Sequence, residues 1–457
     1  MGKWSPLAAV CLGAFMLLVD ITIIVVALPD MARDLGASFT GLQWVLDAYA
    51  LALAALVLGA GSLADQFGRR KVYLAGLVVF AVASLACGLA PDAPVLIAAR
   101  AVQGIGGAAM LATTMALINV TYHGRDRAVA LGIWGAIIGI AASAGPVLGG
   151  LFTEYVHWRA IFLVNLPISL LAIWMTTRAI GESRNPHSRG IDIPGVVTFT
   201  AAAGAITYGL IQAGEDGWAA ASTLGWLIGG LVALVAFAVI QIRSDHAMLD
   251  LTLFRKPSFA IILVAALAMS FAAFGYNPFL SIWLQNSLGL APLDAGLALL
   301  PMSVASFLVA STIGRHLHSV PARYTIGIGM VLIGAGALLL HTGSSWVAVL
   351  PGLAVAGVGV GVTGQALPGA MMATVPPSRA GMASGALNTF RQLGFALGVA
   401  VLGTIVRGGR DFNAGVEGSY VLSGVVGLVT GVVVLLFLRM RRTEERTPSP
   451  GVVAAEA

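Results

Sequence analysis

Charged residues are scarce in this sequence. Asp, Glu, Lys and Arg make up 10% of its 457 residues, while 58% of the chain is apolar. Soluble domains carry about 25% of these four residues, because they need a hydrated surface. The mean hydropathy of +0.92 is too high for such a surface. The composition therefore excludes an ordinary soluble domain and predicts a polytopic membrane protein.

Several kinds of chemistry lack the residues that they need. The two cysteines, Cys11 and Cys87, lie within apolar runs, which excludes a disulfide framework and a zinc knuckle. The seven histidines lie in loops or at the ends of apolar runs, which argues against a buried metal site. The chain has no Walker A motif and no Gly-x-Ser-x-Gly elbow. We therefore expect no enzyme activity, no metal and no cofactor.

Long apolar runs fill most of the chain. A helix needs about 20 apolar residues to cross a bilayer. Backbone polar groups must be satisfied internally there, so we predict helices throughout and an all-α fold. Fourteen spans are predicted, at about residues 7–28, 42–64, 72–90, 94–119, 128–150, 159–178, 192–212, 221–242, 258–284, 293–315, 323–341, 346–370, 380–406 and 420–438.

The positive charges follow the order of the predicted spans. A net charge of +5 and a pI near 9.5 would suit nucleic acid if the charges shared one surface. Instead, most of the 25 Lys and Arg residues fall in alternate loops, on one side of the membrane. The positive-inside rule makes that side cytoplasmic. We therefore predict a multi-pass protein of the cytoplasmic membrane, with both termini cytoplasmic and no nucleic-acid partner.

The spans fall into groups. Residues 1–180 are predicted to form an N-terminal six-helix bundle, and residues 258–440 a C-terminal six-helix bundle. Residues 181–257 contain two inserted spans with their cytoplasmic connectors. A six-plus-two-plus-six layout is typical of transporters built from repeats. Residues 441–457 are charged and contain proline, which predicts a disordered cytoplasmic tail.

Four ionisable residues lie inside predicted spans, where a charge costs about 2.5–3.5 kcal/mol. They are Asp20, Asp47, Arg100 and Arg391. Asp20 is our first choice for a carboxylate that binds a proton or a cationic substrate, and Asp47 is the second. The alternative is that each carboxylate is permanently paired with an arginine as a structural contact. Arg100 either tunes such a carboxylate or extends toward the headgroups, and Arg391 either faces a cavity or extends inward.

Other polar and small residues within the spans suggest a cavity and close helix packing. Small residues spaced four apart allow helices to approach closely, and a proline bends a helix. The fifth span carries such a string, namely Gly139, Gly145, Pro146, Gly149 and Gly150. Together with Arg391, the candidate cavity residues are Gln103, Asn165, Tyr276, Asn277, Gln365 and Asn388.

Several motifs resemble those of one transporter family. The loop after span two reads Gly61-Ser-Leu-Ala-Asp65-Gln-Phe-Gly68-Arg69-Arg70-Lys71 and resembles the cytoplasmic signature of the major facilitator superfamily. The segments beginning at Asp20, Arg100 and Gly139 resemble motifs of its fourteen-helix drug:proton antiporters. Segments beginning at Trp158 and Asn388 are also similar to that family. The family usually has Arg at Gln66 and Asn at Val25, and this sequence departs from it there.

The resemblance implies a major facilitator fold with two six-helix bundles and two extra central helices. It implies a proton-driven exporter without cofactors, which we expect to be a monomer in contact with membrane lipids. The substrate would be a small amphipathic, hydrophobic or cationic compound such as a drug or antibiotic. The resemblance makes Gly61, Asp65, Gly68, Arg69 and Arg70 a latch that locks the cytoplasmic side in the outward-open state. The glycine string of span five would be an antiporter motif that packs the two halves.

Three alternatives remain open at this point, because fold does not dictate direction or substrate. The first is a dedicated exporter of one natural product, for self-resistance. The second is an importer on the same fold. The third is a membrane receptor or scaffold that has lost transport.

Overall fold

The computed structural model describes residues 2–184, 190, 192–244, 246–312, 320–341, 345–376 and 379–439. Within these ranges, fourteen helices are long and apolar enough to cross a bilayer, which confirms the predicted number of spans and the helical fold. The tail predicted to be disordered lies outside the described residues. The helices are α1 Ser5–Leu35, α2 Phe39–Phe67, α3 Arg69–Gly88, α4 Ala93–Thr121, α5 Gly124–Tyr155, α6 Ala160–Ala179, α7 Ile193–Asp216, α8 Ala221–Arg243, α9 Pro257–Asn286, α10 Pro292–Thr312, α11 Ala322–Leu340, α12 Trp346–Met372, α13 Ala380–Gly408 and α14 Phe412–Phe437.

Polar first turns lengthen some helices beyond the apolar runs. The last span was expected from about residue 420, but α14 begins at Phe412. The reason is an N-cap, because the Asp411 carboxylate accepts the backbone N–H of Ala414 at 2.8 Å. Two spans are interrupted, α6 at Val164 and α9 at Gly275 and Tyr276.

The two groups of six helices repeat the same packing. In the first half α1 packs on α5, α2 on α4, and α3 on both α4 and α6. The second half repeats these pairs eight helices later: α9 packs on α13, α10 on α12, and α11 on both α12 and α14. This correspondence is the signature of an internally repeated transporter fold.

The inserted helices lie beside one seam between the halves. Helix α7 packs on both α2 and α13, while α8 packs mainly on α7. Ala203 of α7 belongs to one buried cluster with Ala50 of α2 and Ala396 of α13. The Thr404 hydroxyl of α13 donates to the Leu210 carbonyl of α7 at 2.8 Å. Helix α7 therefore covers the line along which the two halves meet.

A buried carboxylate ties the inserted helices to the connector that follows them. Asp192 accepts hydrogen bonds from the backbone N–H groups of Gly195 and Met248 and from the Gln241 side chain. The Gln241 amide oxygen in turn accepts the Leu249 N–H at 2.9 Å. The sequence analysis did not single out this cluster. It holds the α7–α8 hairpin at the start of the second half.

The two halves are closed against each other at one end. Following the predicted orientation, we call the end where α1 begins the inner end and the opposite end the outer end. At the outer end, the Glu154 carboxylate of α5 accepts the backbone N–H of Leu293, in the first turn of α10, at 3.0 Å. The Gln43 amide of α2 donates to the Val399 carbonyl of α13 at 3.0 Å. The space left between the halves there has a volume of about 10 Å³, hardly enough for one water molecule.

Among the described residues, the inner end is more open than the outer end. The innermost hydrogen bonds described between the halves lie near mid-membrane, from Thr389 to the Ala54 carbonyl and from Ser303 to the Ala142 carbonyl. Further inward, Gly132 and Gly135 of α5 and Gly364 of α12 have open space where a Cβ would stand. In the part of the chain that the structure describes, the two halves are therefore packed more closely at the outer end than at the inner end.

Closure of the outer end depends on Gly150, and the substitution Gly150→Ala should oppose it. A Cβ on Gly150 would lie 2.6 Å from both the Leu293 Cα and the Pro292 carbonyl oxygen, which are backbone atoms of α10 that cannot turn aside. We expect a membrane-impermeant maleimide to label Leu28→Cys, buried at that end, about tenfold faster in the Gly150→Ala background.

The matched control is Gly132→Ala in the same helix, since a Cβ there meets no atom within 4 Å. It should leave the labelling rate of Leu28→Cys unchanged. Equal labelling in both backgrounds would contradict the assignment of Gly150 to the outer closure.

Candidate functional site

The Asp20 side chain is the centre of a buried polar cluster. Its Oδ2 accepts from Arg100 Nη1 at 2.6 Å. Its Oδ1 accepts from Gln103 Nε2 at 2.8 Å and from Asn165 Nδ2 at 2.9 Å. All four residues are at most 2% exposed. Asn165 reaches the cluster because it follows the interruption of α6 at Val164. The structure thus brings together four predicted site residues from three helices.

Arg100 is held on several sides. Its Nε donates to the Val45 carbonyl of α2 at 3.1 Å, and its Nη1 also donates to Gln103 Oε1 at 2.7 Å. Its guanidinium lies 4.2 Å from the ring centroid of Tyr49 and 5.8 Å from that of Phe162. Arg100 therefore turns into the bundle and does not extend to the headgroups. The opposite charges of Asp20 and Arg100 compensate each other.

Helix α3 contributes two further members that the sequence analysis missed. Ser84 Oγ accepts from Gln103 Nε2 at 2.9 Å, and the Cys87 thiol lies 3.7 Å from Gln103 Oε1. Both residues are fully buried. The available signal was that they lie three residues apart, on one helical face of an otherwise apolar run.

Asp47 has the opposite environment. It is 0% exposed, and neither carboxylate oxygen has a hydrogen-bond partner in the part of the chain that the structure describes. Helical periodicity places Asp47 on the face of α2 that carries Gln43, Ala54 and Leu58. Gln43 and Ala54 form hydrogen bonds with α13, and Leu58 lies against Gly385 of α13. Asp47 is therefore a buried carboxyl group without a partner, in the seam between the two halves.

The other predicted cavity residues are spread along the second half. Tyr276 is buried, with its ring edge-to-face on Tyr420 at a centroid distance of 5.6 Å. Asn277 starts the outer segment of α9. Gln365 on α12 is exposed, and Asn388 and Arg391 on α13 are half-buried. The structure does not bring these five residues together with Asp20.

The predicted latch is present but lies within the first half. Asp65 accepts from Arg69 Nε at 2.9 Å and from Arg69 Nη2 at 2.7 Å, four residues apart. A Cβ at Gly61 would meet open space. Among the described residues, neither Asp65 nor Arg69 forms a hydrogen bond or ion pair with the second half. The role of this pair as a latch stays a prediction.

A carboxylate that the sequence analysis missed anchors this loop. Glu182 accepts the backbone N–H groups of Arg70 and Lys71 at 3.1 and 3.2 Å, and so caps the start of α3. Arg70 donates to the Thr177 carbonyl of α6 at 2.8 Å. Gly68 has φ +114°, and a Cβ there would lie 2.5 Å from Glu182 Oε1. Glycine is therefore required at this turn.

The glycine string of α5 serves two contacts. Gly145 and Gly149 face α1 at Thr22 and Ile23, within the first half. Gly150 faces α10, as described, and the Pro146 carbonyl lies 2.3 Å from where a Cβ on Gly296 of α10 would stand. Gly139 faces Phe307 of α10. Helix α5 thus packs against α1 within the first half and also closes the first half against the second.

Comparisons with known proteins show what this chain is similar to. The family model described as "Major Facilitator Superfamily" matches residues 10–399 and 262–455. Multidrug resistance protein Stp of Mycobacterium tuberculosis is 38% identical over 88% of this chain and 75% of its own length. Cephamycin export protein CmcT of Amycolatopsis lactamdurans is 35% identical over 98% of this chain and 94% of its own length.

A solved structure shares the fold. A POT family transporter in complex with a thioalcohol-conjugated peptide matches 94% of this chain and 95% of its own, with a TM-score of 0.72 and 14% identity. At this identity the likeness concerns the arrangement of helices alone.

The buried ion pair predicts how the cluster responds to substitution. Asp20→Asn would leave the Arg100 charge buried without a counter-charge and should lower the free energy of unfolding by about 3–5 kcal/mol. Asp20→Asn combined with Arg100→Met removes both charges, so the double variant should be more stable than Asp20→Asn alone. Unfolding of the purified protein in detergent measures both effects.

The control is Asp30→Asn, which breaks the exposed ion pair between Asp30 and Arg33 on the same helix. Its free energy of unfolding should change by less than about 1 kcal/mol. If Asp20→Asn unfolds like the unaltered chain, Asp20 is not a charged partner of Arg100.

Proposed function

The chain belongs to the Major Facilitator Superfamily, and on that premise we propose that it exports amphipathic drugs or antibiotics in exchange for protons, by alternating access. The names of its relatives support export, since one is a multidrug resistance protein and another an export protein. The structure supports alternating access, because the halves are closed at the outer end and apart at the inner end. Protons, a small amphipathic compound and membrane lipids are then its partners.

The orientation follows from charge. We place the inner end in the cytoplasm and the protein in the cytoplasmic membrane, because most Lys and Arg residues lie in the loops of that end. The open interior would then collect its substrate from the cytoplasm. A proton moving inward across 100 mV releases about 2.3 kcal/mol, which can drive the reverse movement of the substrate.

The proposal of proton coupling rests on Asp47. An ionised carboxylate without a partner costs several kcal/mol in a buried site, and far more than a neutral carboxylic acid does. We infer that Asp47 holds a proton when the outer end is closed. Opening of that end separates α2 from α13 and exposes Asp47 to outside water, where it can exchange its proton. Return to the inward-open state then requires that Asp47 has bound a proton from outside. The cycle is completed when binding of the next substrate from the cytoplasm releases this proton inward.

Asp20, our first choice from the sequence, becomes the second. Its carboxylate receives three hydrogen bonds, one of them from Arg100, so its charge is already compensated. It would take part in coupling only if the ion pair opened in another conformation. Substitution of each carboxylate therefore distinguishes the two assignments.

A second candidate is a dedicated exporter of one natural product. The cephamycin export protein reported above favours this candidate, because its alignment covers 98% of this chain. A panel of cationic, neutral and anionic amphiphiles decides between the two, since a dedicated exporter moves one chemical type only.

The coupling experiment uses liposomes that hold the purified protein and an internal pH dye. In the unaltered chain, the panel compounds should trigger proton movement. In Asp47→Asn, the proton movement should fall at least about tenfold, because the amide mimics the neutral acid, whereas exchange of labelled for unlabelled substrate should continue. This pattern would show loss of coupling with the transport route intact.

Asp216→Asn is the control, because it removes an exposed carboxylate at the outer end of α7 and should leave proton movement unchanged. Full proton movement in Asp47→Asn and its loss in Asp20→Asn would transfer the coupling role to Asp20. Absence of proton movement with every compound in the unaltered, folded protein would refute a broad proton-coupled exporter.

A further inference from the structure

Helix α13 turns three of its faces to other helices. Thr389 contacts α2, and Thr404 contacts α7. Gly394 and Gly398 lie against the backbone of α9, where a Cβ would stand 2.1 and 3.2 Å from the Leu267 and Phe271 carbonyl oxygens. Ser384, Asn388 and Arg391 share one face of the inner half of α13, and farther outward the same face carries Gly398.

The inner part of this face is only partly covered by protein. Ser384, Asn388 and Arg391 are all half-buried. Arg391 lies eleven residues from the start of α13, which corresponds to about 16 Å of helix at 1.5 Å per residue. It therefore lies near the middle of the membrane.

Arg391 is a cation without a counter-charge. Its Nε is buried and has no hydrogen-bond partner, and its Nη2 is 3.5 Å from the Gly364 carbonyl of α12. Among the described residues, no carboxylate lies within 4 Å of it. The described carboxylates from α9 to α14 lie at or near helix ends, namely Asp294, Asp411 and Glu417. Arg100, the other arginine inside a span, is by contrast fully paired.

We propose that Arg391 binds the negatively charged group of the transported compound, and that the substrates are amphiphiles bearing a carboxylate or another anionic oxygen. This inference rests on the proposed export function and specifies its substrate class. A guanidinium forms paired hydrogen bonds with a carboxylate, and an anion supplies the counter-charge that the protein omits. The same uncompensated charge repels cationic amphiphiles in a poorly hydrated interior. The proposal narrows the substrate class expected from the sequence, which was an amphipathic, hydrophobic or cationic compound.

The transport test uses three compounds with the reconstituted protein. Fluorescein is anionic, rhodamine 123 is a cation built on the same xanthene ring, and chloramphenicol is neutral. The unaltered chain should transport fluorescein in preference to rhodamine 123. In Arg391→Gln, the ratio of fluorescein to chloramphenicol transport should fall at least about tenfold, and Arg391→Lys should keep more of that ratio than Arg391→Gln does.

Arg410→Gln serves as the matched control, since it removes an exposed positive charge just beyond the outer end of α13. It should leave the ratio unchanged. Preference of the unaltered chain for rhodamine 123, or an equal fall of both fluxes in Arg391→Gln, would overturn the proposal.

A binding measurement separates this inference from the proposed export function. Fluorescence anisotropy of fluorescein with detergent-purified protein requires no transport. The unaltered chain should bind fluorescein about tenfold more tightly than Arg391→Gln. Equal affinities would overturn the role of Arg391 even if transport occurs. Tighter binding by the unaltered chain without transport of any compound would refute export and retain the anion site.

Discussion

A charge inside this apolar bundle must be compensated, and the Asp20–Arg100 ion pair shows how much of the structure follows from that constraint. The pair draws together α1 and α4 through its two members, and α2 through the Val45 carbonyl and the Tyr49 ring. Gln103 extends it to Ser84 of α3, and Asn165 adds α6. Five of the six helices in the first half thus meet at one polar cluster. The break in α6 is what allows Asn165 to reach it.

The same constraint has different outcomes for Asp47 and Arg391, the other two ionisable residues predicted to lie inside spans. Among the described residues, Asp47 has no counter-charge, and it lies in a seam that must open during transport, so a proton can compensate it. Arg391 likewise has no counter-charge among the described residues, so an anionic ligand can compensate it. Both unpaired groups lie on helices that meet at the α2–α13 seam. Compensation from outside the protein, by a proton in one case and a substrate in the other, links each group to transport.

The sequence was sufficient for the number of spans and for the ionisable residues, because both depend on local composition. It was not sufficient for their partners. Asp20 and Arg100 are eighty residues apart, and nothing local distinguishes the paired Asp20 from the unpaired Asp47. Glu182 was missed because a single polar residue has no pattern of its own. Gly149 and Gly150 are adjacent in the same glycine string of α5, but Gly149 faces α1 and Gly150 faces α10. Only the packing of the helices shows this difference.

The inserted helix α7 affects the path by which a proton reaches Asp47. Its Ala203 packs with Ala50 and Ala396 at the depth of Asp47, so α7 shields the seam from lipid on that side. At the outer end, Glu215 of α7 binds both Arg407 of α13 and Thr40 of α2. This contact spans both halves at the mouth of the seam and must rearrange when the outer end opens. Water then enters the seam along its outer end, and α7 shields the same seam from lipid.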